Sequence, residues 1–286
     1  MPKTYNNLFD SICDFGNIPD AYLKARKCKR YNKDVLQFSS NLEEELLSLQ
    51  NELSAGTYHT GKYRKFYVLE PKKRKISALP FRDRVAHHAI CNVIEPLFEK
   101  KFIPDSYACR KGKGSHAGSD KLTELLKTSK RKWGVVYCLK ADISKYFHSV
   151  DHTVLKGILR KTIRCRKTLG LLDEIIESVD EEKGLPIGNL TSQLFANVYL
   201  NTLDHYVKET MKVGYYVRYL DDFVLLSDDK KQLQVWQKEI EDFLNGALKL
   251  DLNVKTSIFP ATQGVDFLGY RTWATHKLLR KRKGFT

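Results

Sequence analysis

Hydrophobic and polar positions change their period several times along the chain. Residues 1 to about 56 read as short helices. The clearest begins at Asn41, a predicted N-cap, with Glu43, Glu44 and Glu45 in the first turn and Leu42, Leu46, Leu49 and Leu53 on one side. From Tyr58 the pattern turns to strands. Lys62–Leu69 and Ile76–Leu79 flank a predicted turn over Pro71–Lys75, giving a β-hairpin with aromatics and many cations. Phe81–Phe102 is helical again, with Pro96 marking a kink or break. Residues 151–183 are helical and charged, and Gly184–Leu200 is a turn feeding a helix that Asn189 or Thr191 can cap. Lys231–Leu250 carries Leu233, Trp236, Ile240, Phe243, Leu244 and Leu248 at helical spacing, which marks a core-facing stripe.

Two apolar stretches end in aspartate. Tyr216–Leu226 reads as a tight hairpin with Asp221 and Asp222 at its turn, and Val135–Phe147 as a strand running through Asp142 into a helix start. A carboxylate beside a core must be paired, protonated or bound to a cation. The turn preference of Asp accounts for an Asp-Asp pair by itself; the second strand with the same ending changes the picture. Laid side by side in one sheet, the strands would bring three carboxylates to one edge. Hard cations such as Mg²⁺ relieve their repulsion. Two such ions about 4 Å apart activate an attacking hydroxyl and neutralise a transferred phosphoryl group. That is nucleotidyl-transfer chemistry.

Composition narrows the partners. The 286 residues give room for a core split over two lobes. A net charge of +15 suits a polyanion. The basic residues are spread through loops, strands and the tail, with no long helix basic on one face and apolar on the other, so a membrane surface is a poor fit. The chain has neither an apolar run near the ~18 residues of a span nor a signal-peptide core. Cys13, Cys28, Cys91, Cys109, Cys138 and Cys165 form no C-x-x-C pair and read as reduced thiols of an intracellular protein. His87 and His88 point to different helix faces and read as structural. The G-x-G-x-x-A pattern from Gly112 to Ala117 follows no apolar strand, so a dinucleotide site fails its context. A basic, glycine-rich loop entering a helix still suits a phosphodiester.

These residues carry a resemblance. Tyr219-Leu220-Asp221-Asp222 resembles the Y-x-D-D box of reverse transcriptases, and Asp142 with Phe147 five positions on resembles their first palm motif. Arg82-Asp83-Arg84, Ser106-Tyr107 through His116, Gly184–Tyr199, Leu250–Lys255 and Phe267-Leu268-Gly269-Tyr270 follow in the family's order, over about residues 60 to 275. The resemblance implies an α+β right-hand polymerase: an antiparallel palm sheet backed by helices, with fingers, and a thumb that is missing or very short. It divides the chain into fingers (1–89, with an N-terminal helical extension), palm (90–151), fingers (152–186), palm (187–271) and the start of a thumb (272–286). Lys277–Lys283 is where thumb helices would begin.

The implied enzyme is an RNA-directed DNA polymerase that makes cDNA by attack of a 3′-hydroxyl on a dNTP α-phosphate. Asp142, Asp221, Asp222 and the Ile143 carbonyl would hold two Mg²⁺ ions, with Mn²⁺ able to substitute. Asp142 and Asp221 would bridge the ions, and Asp222 would be the less direct ligand. Arg74 and Lys65, with Arg64 as an alternative, would meet the triphosphate. Phe147 would lie beneath the sugar and exclude a 2′-hydroxyl, which disfavours an RNA-directed RNA polymerase; Ile187 and Gly188 would border the nucleotide, the glycine permitting close approach. Lys255 stands where the family has a lysine that protonates pyrophosphate, although a plain surface lysine is the more ordinary reading. Arg110, Lys111, Lys113, Ser192, Gln193, Gly269 and Tyr270 would contact template or primer, Gly269 permitting close backbone packing.

Most reverse transcriptases show Q-G-x-x-x-S-P where this chain has Ile187-Gly188 and Ser192-Gln193. That departure resembles the enzymes of diversity-generating retroelements, which misincorporate opposite adenine while copying RNA. Loss of an amide hydrogen bond worth about 0.5–1.5 kcal/mol lowers selectivity about 2- to 12-fold, so high error needs further features. Alternatives are a retron, group II intron or phage-defence reverse transcriptase. From another class, a non-catalytic RNA-binding module with a degenerate palm is opposed by the intact aspartates. Expected partners are an RNA template, a DNA or RNA primer, dNTP, the cDNA and a small basic helical accessory oligomer, with no membrane. The expected location is the cytoplasm, with a bacterial, archaeal or phage gene.

Overall fold

The computed structural model describes residues 3–69, 73–179 and 182–280. In chain order the first elements are α1 (Phe9–Cys13), α2 (Asn17–Ala25), α3 (Lys33–Ser40), α4 (Leu42–Ala55), β1 (Arg64–Val68), β2 (Arg74–Ala78) and α5 (Phe81–Glu99). Then come α6 (Ser115–Trp133), β3 (Tyr137–Asp142), α7 (Tyr146–Ser149), α8 (His152–Arg160), α9 (Arg166–Glu177) and α10 (Leu190–His205). The chain goes on through β4 (Tyr216–Tyr219), β5 (Asp222–Ser227), α11 (Lys230–Phe243), β6 (Ser257–Pro260), β7 (Val265–Phe267), β8 (Tyr270–Thr272) and β9 (Lys277–Leu279). Two compact units interleave: Met1–Lys101 with Val150–Val198, and Phe102–Ser149 with Tyr199–Thr286.

In the first unit, α1 to α4 pack against α5, whose Val85, Ala86, Ala89, Ile90 and Ile94 are buried along with Ile12, Ile18, Val35, Leu49 and Leu53. Asn41 stands at the N-cap of α4 but makes no side-chain cap bond. Three first-turn glutamates and the buried Leu46, Leu49 and Leu53 stabilise that helix instead. Pro96 does not break α5, which runs on to Glu99. Buried Asp83 accepts from the Tyr58 hydroxyl at 2.7 Å and the Gly61 N–H at 3.2 Å, tying the approach to β1 onto α5. The β1–β2 hairpin pairs Arg64 with Ala78 through Val68 with Arg74. Arg74 therefore opens a strand instead of lying in the turn, and Pro71 and Lys72 of the expected turn lie outside the described residues.

The second unit is built on an antiparallel sheet in the order β4-β5-β3-β6. One face presents Cys138, Val217, Val224 and Leu226 to Leu122, Leu125 and Leu126 of α6. Consecutive burial from Phe223 to Ser227 means that both faces are covered, and α11 packs against β3, β5 and β6. A smaller antiparallel sheet, β7-β8-β9, turns at Leu268-Gly269, where both residues have positive φ (52° and 86°) as a type I′ hairpin demands. Lys277–Leu279 is thus an edge strand where a thumb helix was expected to start, and residues 281–286 lie outside the described part. Among the described residues no helix is long and apolar enough to cross a membrane. All six cysteines are free thiols.

Candidate active site

Asp142 ends β3 and is the direct cross-strand partner of Asp222, the first residue of β5. Partners of this kind have Cβ atoms about 4.5–5.5 Å apart on one face of the sheet. Asp222 is therefore a strand residue, and the turn that the sequence pattern gave to both aspartates is Leu220-Asp221, closed by the Tyr219–Asp222 pair. Leu220 takes a φ of 52°, unusual for a side chain of its size. The Asp221 carbonyl accepts the Ile143 N–H at 3.2 Å, which docks the turn onto the residue after Asp142. All three aspartates so reach one end of the sheet.

Their charge is managed from two sides. Burial pushes the Asp222 carboxyl above its ordinary value and Asp142 adds to the push, while Lys140 opposes both. The Lys140 ammonium donates to Asp222 Oδ1 at 2.8 Å and Oδ2 at 3.0 Å. Among the described residues no three acidic, histidine or cysteine side chains already stand as a ligand cluster. Asn253 holds Asp142: its side-chain amide donates to Oδ2 at 3.2 Å and its N–H to the Asp142 carbonyl at 2.7 Å. The Asn253 Oδ1 accepts the N–H of Lys255, which is exposed. The sequence reading gave neither Lys140 nor Asn253 a role. A lysine two positions before Asp142 on the same strand face was the available signal for the first; nothing local pairs the second with Asp142. Ile143 is buried, and half-buried Phe147 meets Tyr146 edge-on at 5.6 Å in α7.

In the first unit, the hairpin register puts Arg64, Phe66, Val68 and Arg74 on one face and Lys65, Tyr67 and Lys75 on the other. Lys65 and Arg74 therefore do not form one cationic face; Arg64 is the cation that shares Arg74's. Every residue of β1 is exposed. The Ile187 carbonyl accepts the Ser77 N–H at 2.9 Å, and a Cβ on Gly188 (φ 126°) would lie 3.0 Å from the Ser77 oxygen. The close approach at Gly188 is thus to the protein's own strand. Asn189 donates its amide to the Tyr63 hydroxyl at 3.1 Å, and the buried Thr191 hydroxyl meets His87 Nδ1 at 2.9 Å. Burial holds His87 down at about 3, so it is neutral and structural. Ser192 is buried at 2% exposure, while Gln193 is exposed.

The basic loop before α6 also differs from expectation. The Arg110 guanidinium donates to the Ile103 and Ser106 carbonyls, both at 2.7 Å, and sits over the Phe102 ring. Lys113 donates to the Pro104 carbonyl at 2.8 Å over Tyr107. Both therefore shape their own loop, and Lys111 is the exposed cation among the three. Gly269 has no atom within 4 Å of a notional Cβ, so its positive φ, not close packing, requires glycine. Close packing occurs at Gly118 of α6, where a Cβ would lie 2.8 Å from Leu268 Cδ1. Tyr270 meets His116 Nδ1 at 3.3 Å through its hydroxyl and carries Lys277 over its ring.

The family described as Reverse transcriptase (RNA-dependent DNA polymerase) matches residues 64–272. Protein YkfC of Escherichia coli (strain K12) is 29% identical over 301 residues, covering 89% of this chain and 76% of that protein. Group II intron-encoded protein LtrA of Lactococcus lactis subsp. cremoris is 24% identical over 317 residues, covering 85% of this chain and 52% of LtrA. A structure of telomerase from Candida albicans, with a TWJ fragment of telomeric RNA, has a TM-score of 0.54 at 13% identity, covering 79% of this chain and 46% of that one. That likeness is one of fold, and it agrees with a helix-backed, antiparallel polymerase palm. The chain spans about half the length of LtrA and of the telomerase chain.

Proposed function

The chain belongs to the reverse transcriptase family, and from that premise we propose that it is an RNA-directed DNA polymerase extending a primer along an RNA template. The observation that carries this reading is the pairing of Asp142 with Asp222 across the β3–β5 ladder, with the Asp221 turn bonded to Ile143. In this reading the second compact unit contains most of the palm, and the first most of the fingers.

The donor set is made of hard oxygens, namely three carboxylates and the Ile143 carbonyl, which suits Mg²⁺ or Mn²⁺. Bound there, such ions would make a primer hydroxyl a better nucleophile and neutralise charge on the phosphoryl oxygens. The protein's own groups do the rest. Asn253 orients Asp142, and Lys140 balances Asp222. Arg74, with Arg64 on the same hairpin face, would grip the triphosphate. Phe147 would close the space a 2′-hydroxyl needs, and Lys255 would give a proton to departing pyrophosphate. Lys111, Gln193 and Tyr270 are the surface groups offered to template and primer.

The finer reading is a diversity-generating enzyme, error-prone at adenine and assisted by a small basic oligomer; the Ile187-Gly188 and Ser192-Gln193 pattern supports it. A second reading, an intron-type reverse transcriptase, is favoured by the extended alignment with LtrA. Primer extension on a defined RNA template, with each dNTP omitted in turn, tests all of this. Mg²⁺-dependent cDNA synthesis is expected, with misincorporation opposite adenine for the first reading and accurate copying for the second. No extension with Mg²⁺ or Mn²⁺ would overturn the polymerase assignment.

A further inference from the structure

Arg218 is a fully buried guanidinium on β4, one residue before the Tyr219–Asp222 box. Its strand position puts it on the face opposite that of Asp142 and Asp222, alongside Tyr216, Phe223 and Leu225. Nε donates to Asp204 Oδ1 at 2.7 Å and Nη2 to Oδ2 at 2.6 Å, a bidentate pair with a carboxylate that is also fully buried. The Tyr216 hydroxyl donates to the same Asp204 Oδ1 at 2.8 Å, and Ser106 Oγ accepts from Nη2 at 3.2 Å. The remaining arm, Nη1, donates to the Leu220 carbonyl at 2.9 Å.

A buried ion pair is a weak device for stability, because desolvation consumes most of the Coulombic gain and apolar replacements often serve as well. What an apolar pair could not do is hold the Leu220 carbonyl. That carbonyl belongs to the peptide plane joining Leu220 to Asp221, and Leu220 has the positive φ noted above. Gripping the plane fixes the rotation about its two flanking bonds, and so the direction in which Asp221 leaves the turn. The main chain of Arg218 is itself pinned: its N–H donates to the Asp105 carbonyl and its carbonyl accepts from Tyr107, both at 3.0 Å. The fork therefore acts from a fixed base.

We infer that Arg218 is a positioning residue for the Asp221 turn: anchored on Asp204, it sets the peptide plane from which the Asp221 carboxylate departs. The inference rests on the polymerase reading for its consequence, though not for its geometry.

Two variants of the full chain separate positioning from stability. Arg218→Lys keeps a cation for Asp204 but lacks the planar fork that spans both partners. The double change Arg218→Met with Asp204→Leu removes the pair without leaving an orphan charge. The measurements are melting temperature, primer–template affinity, single-turnover extension rate, and amide exchange of the Tyr219–Asp222 segment. The expected result for both variants is extension slower by about 10- to 100-fold, unchanged primer–template affinity, and faster exchange confined to the turn. Wild-type rates and wild-type turn exchange in the double variant would overturn the inference, whether or not Arg218→Lys folds. If the wild-type protein extends no primer, the polymerase reading falls, and the exchange comparison still decides whether Arg218 sets the turn.

Discussion

Asn253 grips Asp142 twice, by its side-chain amide on the carboxylate (3.2 Å) and by its N–H on the main-chain carbonyl (2.7 Å). Only the first bond depends on the side chain. Hydrogen bonds to charged groups contribute about 1.5–3 kcal/mol, so Asn253→Ala is expected to slow extension on the order of 10- to 100-fold with little change in RNA affinity. Asn253→Asp sets a like charge beside Asp142 and shifts the acid limb of activity to higher pH. Single-turnover rates across pH check both; an unshifted limb in Asn253→Asp would show that this contact does not steer Asp142.

Lys140 gives a pH-dependent stability prediction. The Asp222 carboxyl is raised by burial, so the folded state holds its proton more tightly than the unfolded chain does. Its contribution is present in acid and is lost as pH rises through the raised value. Lys140→Met removes the opposing cation and deepens that loss, by about 1.5–3 kcal/mol at neutral pH. Urea denaturation in chelator from pH 4 to 8 should show the gap between wild type and variant opening with pH. A gap of constant size would mean that Lys140 does not neutralise Asp222.

Asp142→Asn and Asp221→Asn each remove one carboxylate from the proposed metal-binding set. Both are expected to abolish cDNA synthesis and leave RNA binding intact, as read by primer extension and filter binding on the same preparation. Residual extension at wild-type rate in either would remove that residue from the site.

Gly188 separates two causes of glycine preference. A methyl group there meets strained backbone (φ 126°) and the Ser77 oxygen at 3.0 Å, whereas at Gly112 (φ 73°) it meets nothing within 4 Å. Gly188→Ala is expected to destabilise by about 1–3 kcal/mol, and by more than Gly112→Ala does. Equal shifts in denaturation midpoint would mean the contact with β2 contributes nothing.

Ile187→Gln introduces the amide of the Q-G-x-x-x-S-P pattern from which Ile187-Gly188 departs. Higher fidelity opposite template adenine, by about 2- to 12-fold, is the expected change. Sequencing of cDNA from an adenine-rich template reads it; an unaltered error spectrum would detach Ile187 from fidelity.

The strands that meet the aspartates, β3 and the β4–β5 hairpin, were legible because their apolar runs break off at carboxylates. Their register was not, since it is set by neighbours far away in sequence. The same limit hid Lys140 and Asn253, whose partners lie across the sheet or in another segment. For Arg110, Lys113 and Ser192 the sequence did not show the surroundings, for a different reason. Polar residues in a glycine-rich loop or at a helix start suggest solvent and ligands, yet here carbonyls of the same loop take up the two cations, and Ser192 is buried. Arg64 and Lys65 could not be told apart until register fixed which shares a face with Arg74. Lys277–Leu279 was misplaced because three exposed-looking residues carry no period, and pairing with β8 alone makes them a strand.

Gly118 and Leu268 occupy, in effect, a single side chain's volume. A glycine inside α6 weakens that helix by about 1 kcal/mol relative to alanine, and Leu268 carries an unfavourable φ of its own. Two local penalties at one spot are tolerable only because they let the hairpin tip seat directly on the helix backbone. The small sheet is thereby keyed to α6 as a tooth is to a notch, and Tyr270, two residues past Leu268, can shift only as far as that helix carries it.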